Sequence, residues 1–167
     1  MSLLCGHTQS ARARKSFGLT AVELVVVIAI IALVSAVILG SFESLRTTKL
    51  LDTESAAVVT LLSDARERTL SSVNSSRYGV HIETARAVLF AGTAFVDGAP
   101  SNEARTLDAR VSIANIALTG GASDIVFKRL SGEVSATGTI DIKLVSDPTL
   151  GIRVRVEQTG IVSTESI

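Results

Sequence analysis

The sequence is poor in the residues that build covalent and metal-centred sites. One cysteine and two histidines in 167 residues exclude an intrachain disulfide and a cysteine-rich zinc site. Only two prolines are present, the first at Pro100, so nothing upstream of it forbids a long helix. There is no surplus of charge either: 16 Lys and Arg balance 16 Asp and Glu, which argues against a protein built mainly to neutralise nucleic-acid phosphates. The 47% apolar content excludes a disordered tail, and the length fits one domain of ordinary size.

What is present is unevenly spread. Residues 19–39 hold 18 apolar residues in 21, and the stretch from Leu24 to Leu39, LVVVIAIIALVSAVIL, has Ser35 as its only polar member. As a helix, residues 19–39 would extend about 31 Å, enough to cross the hydrocarbon core of a bilayer. Residues 1–18 carry Arg12, Arg14 and Lys15 and no acid. The positive-inside tendency therefore places the N-terminus in the cytoplasm and residues 40–167 outside. Glu23 does not suit a plain anchor, because an unpaired carboxylate within hydrocarbon costs at least about 2.5 kcal/mol, less near the interface. Either it marks the membrane surface or it neutralises a specific positive charge.

The run Lys15-Ser16-Phe17-Gly18-Leu19-Thr20-Ala21-Val22-Glu23-Leu24 resembles the cleavage region of the type IV prepilin and type II secretion pseudopilin family. That family has a short basic leader ending in Gly, a hydrophobic first mature residue, Thr second and Glu fifth, then a long apolar helix. Its usual run is G-F-T-L-I-E-L; Leu19, Ala21 and Val22 depart from it, each apolar for apolar. The resemblance implies that a membrane prepilin peptidase cuts between Gly18 and Leu19 and N-methylates the new amine of Leu19. The mature chain would have 149 residues, no cysteine and a net charge of −3. In this family the carboxylate matching Glu23 is thought to attract the N-terminal amine of a neighbouring subunit, and Thr20 belongs to the same assembly motif. Pairing two charges inside a membrane or filament removes a penalty that either would suffer alone. The implied partners are the peptidase, other pilins or pseudopilins, an inner-membrane assembly platform, and lipid before assembly. An ordinary secretory signal cut near Val34-Ser35-Ala36 would need an unusually long polar lead-in, and no apolar stretch precedes Cys5 to make a lipoprotein signal.

Beyond Gly40, helix formers continue without a proline. Leu51, Val58, Leu62, Ala65 and Val73 recur at spacings that place them on one face, with Asp64, Glu67 and Arg68 largely elsewhere. A single helix from Leu19 to about Asn74, roughly 80 Å long, is expected, apolar all round in its first half and amphipathic in its second. Its cover reads as β-structure. Tyr78, Val80 and Ile82 alternate with Arg77, Gly79 and His81, and Ala87 to Phe90 follows as the return of a hairpin. Further strands are expected at Val111 to Leu118, Ile125 to Leu130, Thr139 to Val145 and Gly151 to Glu157, separated by Gly- and Pro-containing turns. The expected fold class is α+β, with an antiparallel sheet on the amphipathic half of the helix. The expected division is a cleaved leader (1–18), an apolar assembly helix (19–40), its amphipathic continuation (41–75) and a β-rich domain (76–167).

This second region resembles the minor pseudopilin H and FimT-like branch of the family. The features are Ala65-Arg66 on the helix, Ile125-Val126-Phe127 followed by Gly132, Gly138-Thr139-Ile140, and the closing Ile152-Arg153-Val154 with Gly160-Ile161-Val162. Such subunits are filament components rather than enzymes. Consistently, the residues offer no catalytic arrangement: His81 is the only histidine outside the leader, and no Ser-His-Asp, paired-carboxylate or metal-ligand spacing is present. No metal or other cofactor is expected. The acid-bearing loops at Asp147 and at Glu103 to Asp108 do not set out several oxygen ligands at defined positions. Some FimT-like pilins bind DNA through a basic, glycine-containing C-terminal segment. Here the matching Gly160-Ile161-Val162-Ser163 has no arginine, while Arg153 and Arg155 share a strand face with Glu157. DNA binding through Arg153 and Arg155 during natural transformation is one alternative, disfavoured by the acidic mature charge, and a membrane-tethered domain with no assembly role is the other.

Overall fold

A computed structural model describes residues 20–167, and for residues 38–44 the backbone alone. One helix, α1 (Ala21–Leu70), precedes eight strands. The chain divides into two compact units between Glu43 and Ser44.

In the first unit the described side chains from Thr20 to Val37 are all exposed, Val22 at 73% and Leu33 at 69% among them. Among the described residues no helix is long and apolar enough to cross a membrane. The expected span runs on to Leu39, beyond Val37 where the described side chains stop, and its first residue, Leu19, also lies outside the described residues.

The second unit holds the α+β fold. Residues 44–70 of α1 present Leu51, Val58, Leu62 and Ala65, all buried, to a core shared with two antiparallel sheets. One sheet has the order β3 (Glu103–Thr106), β2 (Arg86–Ala91), β1 (Tyr78–Ile82), β5 (Asp124–Val126). The other has the order β4 (Val111–Leu118), β6 (Gly138–Leu144), β7 (Gly151–Val156), β8 (Val162–Ser166). Alternation decides which side chains enter the core: Val80 and Ile82 from β1, Ile140 and Ile142 from β6, and Val154 and Val156 from β7 are all buried.

The structure refines the expected cover in three respects. There are two four-stranded sheets rather than one. The expected strand Ile125 to Leu130 is shorter, ending at Val126, with an isolated bridge Phe127↔Val134 and a turn in which Leu130 adopts φ 72°. The helix stops at Leu70, and Val73, expected on the buried face, is 39% exposed. The cause is local. Ser72, Asn74 and Ser75 all take positive φ, so helical periodicity no longer governs where Val73 points. Buried Thr69 fastens this end: its hydroxyl donates to the Ala65 carbonyl at 2.8 Å and accepts the Tyr78 N–H at 2.9 Å.

The first sheet is covered on both faces. Val88 and Phe90 are buried opposite the main core, and Phe95 from the loop after β2 meets the Phe90 ring edge-on at 5.8 Å. Gly79 permits this, because a Cβ there would lie 2.8 Å from the Phe90 ring and 2.9 Å from the Ile125 carbonyl oxygen.

Candidate functional site

Of the residues expected to direct processing and assembly, Gly18 and Leu19 lie outside the described residues. Thr20 and Glu23 are brought together at the start of α1. Thr20 is the N-cap: the Glu23 N–H donates to its hydroxyl at 3.2 Å and the Leu24 N–H to its carbonyl at 3.1 Å. Thr20-Ala21-Val22-Glu23 has the spacing of a capping box, a signal the sequence carries and that the assembly motif alone had obscured. Glu23 thereby sits in the first turn, where the helix dipole favours negative charge. No described residue pairs with its carboxylate.

Arg153 and Arg155, the candidate phosphate contacts, lie on the outer face of the second sheet. The register aligns Asn115, Asp141, Arg153 and Glu165 in one row across β4, β6, β7 and β8. Arg153 donates from Nε to Asp141 Oδ1 at 2.6 Å and from Nη2 to Oδ2 at 3.0 Å, while Asn115 donates to Oδ2 at 3.4 Å. Glu165 lies 3.7 Å from Arg153 and accepts from Arg155 at 3.4 Å. Two cations thus face two anions. The Arg153 hydrogen bonds hold the Asp141 carboxyl below the usual carboxylate range and raise Arg153 in return. Chemically this is a compensated polar ladder that fixes register; its arginines are already spent on carboxylates, which disfavours a phosphate track.

His81 is packed rather than free. Its ring stacks on Phe95 with centroids 4.1 Å apart, Nδ1 lies 2.5 Å from Asp124 Oδ1, and Nε2 lies 3.6 Å from Glu83 Oε1. Asp124 also accepts the Phe95 N–H at 3.2 Å, so the histidine and aspartate hold the covering loop. Among the described residues no group of three His, Cys, Asp or Glu side chains is placed to hold a metal ion. The acid-bearing loops are occupied internally. Asp147 accepts twice from Thr149, at 3.1 and 2.6 Å. Asp108 is held at about pKa 2 by the Arg110 side chain and N–H. Glu103 pairs with Arg68, which also takes Asp64 in a two-pronged pair at 3.0 and 2.9 Å. Those hydrogen bonds raise Arg68 above its ordinary value and tie α1 to the edge strand β3, a link sequence reasoning missed because the partners are 35 residues apart.

A long N-terminal helix whose second part is closed over by two antiparallel sheets defines a pilin-like α+β protein. The chain is similar in structure to the minor pseudopilin EpsH from the type 2 secretion system of Vibrio cholerae, with a TM-score of 0.52 and 20% identity, covering 70% of this chain and 96% of that one. The likeness is one of fold. No family model and no curated protein sequence matches the chain.

Proposed function

We propose that the chain is a non-enzymatic minor subunit of a type II secretion pseudopilus or type IV pilus. The fold shared with EpsH carries this proposal, and the run from Gly18 to Leu24 supports it independently. On this view a prepilin peptidase removes residues 1–18 on the cytoplasmic side and methylates Leu19. The helix 19–40 waits as a single pass through the inner membrane, with the domain in the periplasm. An assembly platform then moves it from lipid into a filament among other pilins or pseudopilins. Glu23, without a partner among the described residues, attracts the amine of the next subunit.

Mass spectrometry of the full-length chain co-expressed with a prepilin peptidase should find a membrane form beginning at methylated Leu19. A first residue at Val37 would instead make it a secreted protein and sink the proposal. DNA binding is the lesser possibility, because Arg153 and Arg155 already face Asp141 and Glu165. A gel shift across a salt series should show no complex; one that weakens steeply with salt would reverse that preference.

A further inference from the structure

Arg66 is treated differently from the arginines that hold the fold. Arg68, Arg86, Arg110 and Arg153 each grip a carboxylate. Arg66 has no hydrogen bond or ion pair among the described residues, and its Nε is buried without an acceptor. The chain makes room for it at two glycines. A Cβ added at Gly132 would lie 3.1 Å from that Nε; one added at Gly160 would lie 3.0 Å from it and 2.2 Å from the Gly132 carbonyl oxygen. Enclosing a charged donor without an acceptor destabilises the fold and gains nothing within it. That is the placement of a side chain held for an outside partner.

Arg66 lines a 400 Å³ cleft that Ser63, Glu67, Leu70, Gly160, Ile161 and Val162 complete. Leu70 and Ile161 are 37% and 57% exposed there, an apolar rim beside an unpaired cation. We propose that this cleft receives a carboxylate, an Asp or Glu flanked by apolar residues on another protein chain. With Nε enclosed, the terminal Nη1 and Nη2 take the two oxygens end-on. The apolar flanks cover Leu70 and Ile161 and keep water from the pair, which strengthens it. A nucleic-acid strand fits less well: its row of phosphates would find a single cation. The inference does not rest on the filament proposal, and either can fail alone.

The test follows Arg66 side-chain and Ile161 amide resonances in the full chain in detergent micelles. The probes are acetyl-Leu-Glu-Leu-amide, acetyl-Leu-Gln-Leu-amide and a dodecamer of deoxythymidylate. The Glu peptide should shift both resonances at least about ten-fold more strongly than the Gln peptide, the ratio expected of one charge-assisted hydrogen bond. R66M, which keeps the stem, should abolish the response at the Ile161 amide without lowering the thermal midpoint, since no internal bond is lost. Equal response to both peptides, or tighter binding of the oligonucleotide, would overturn the proposal. A clear fall in midpoint for R66M would also overturn it, by making Arg66 a structural residue.

Discussion

The two parts of α1 meet opposite fates. Between Val22 and Leu33 every large apolar side chain is at least 43% exposed, whereas in residues 44–70 Leu51, Val58 and Leu62 are 5% exposed or less. The second part buries one stripe because polar residues occupy the rest of its circumference, so the chain's own two sheets suffice to cover it. The first is apolar all round, and no single packed face can cover such a helix. The contrast teaches that patterning, more than apolar content, decides whether a helix is completed by its own chain or needs lipid or other helices.

The most forceful way to break this comparison is to charge the first part. V27K combined with I31K should transfer the protein from the membrane pellet to the soluble fraction after carbonate extraction, at a cost of at least about 2.5 kcal/mol for each lysine near the helix centre. Retention in the pellet would remove the assignment of this part to lipid. The comparison sharpens with L62A, expected to lower the unfolding free energy of the β-rich unit by about 3 kcal/mol in urea titration, while L24A leaves the same transition unmoved. Equal effects would mean that both parts belong to one core.

A smaller effect is expected on the outer face of the second sheet. R153M strands Asp141, whose side chain is 5% exposed, and should lower the urea midpoint of the β-rich unit, by less than loss of a fully buried pair because Arg153 itself is partly solvated. The pH dependence has a definite sign. Asp141 is depressed in the folded state, so the unfolded chain binds more protons; the pair stabilises fully above about pH 4 and its contribution is lost as pH falls through the folded value. Urea midpoints at neutral and acidic pH should therefore converge in R153M relative to the parent. Smallest is the cap: T20A should cost about 1 kcal/mol of local helix stability, with T20S close to neutral, read as faster amide exchange at Glu23 and Leu24. E23A keeps that backbone bond and should leave insertion intact while reducing filament incorporation. Unaltered incorporation would remove the proposed charge pairing.

What the sequence hid follows a physical pattern. β3 and β8 were not expected as strands, and both are sheet edges. Glu103–Thr106 is wholly exposed and Val162–Ser166 nearly so, so neither has an apolar alternation to read, and polar edges are how sheets avoid pairing with other chains. In β2, Ala87 to Phe90 is buried on both faces, because a loop carrying Phe95 covers the side opposite the main core. Continuous burial of that kind is ambiguous by periodicity alone. Val73 was misplaced because the positive φ angles of the preceding and following residues end the helical geometry on which its assignment relied. Nor does spacing show that Arg66 lacks an acceptor while Arg68, two residues on, has two.

By itself the sequence determined a long helix ahead of six of the eight strands, the α+β class, the buried stripe Leu51, Val58, Leu62 and Ala65, and the segregation of a largely apolar helix start from an amphipathic continuation. These are properties of neighbouring residues, set by the 3.6-residue and 2-residue repeats along one stretch of chain. Only the tertiary structure decided that the strands split into two sheets, that Asn115, Asp141, Arg153 and Glu165 fall in one row, and that Gly132 and Gly160 meet around Arg66. Those outcomes join positions far apart in the chain. Their energies depend on which partners arrive together, and no local repeat records that.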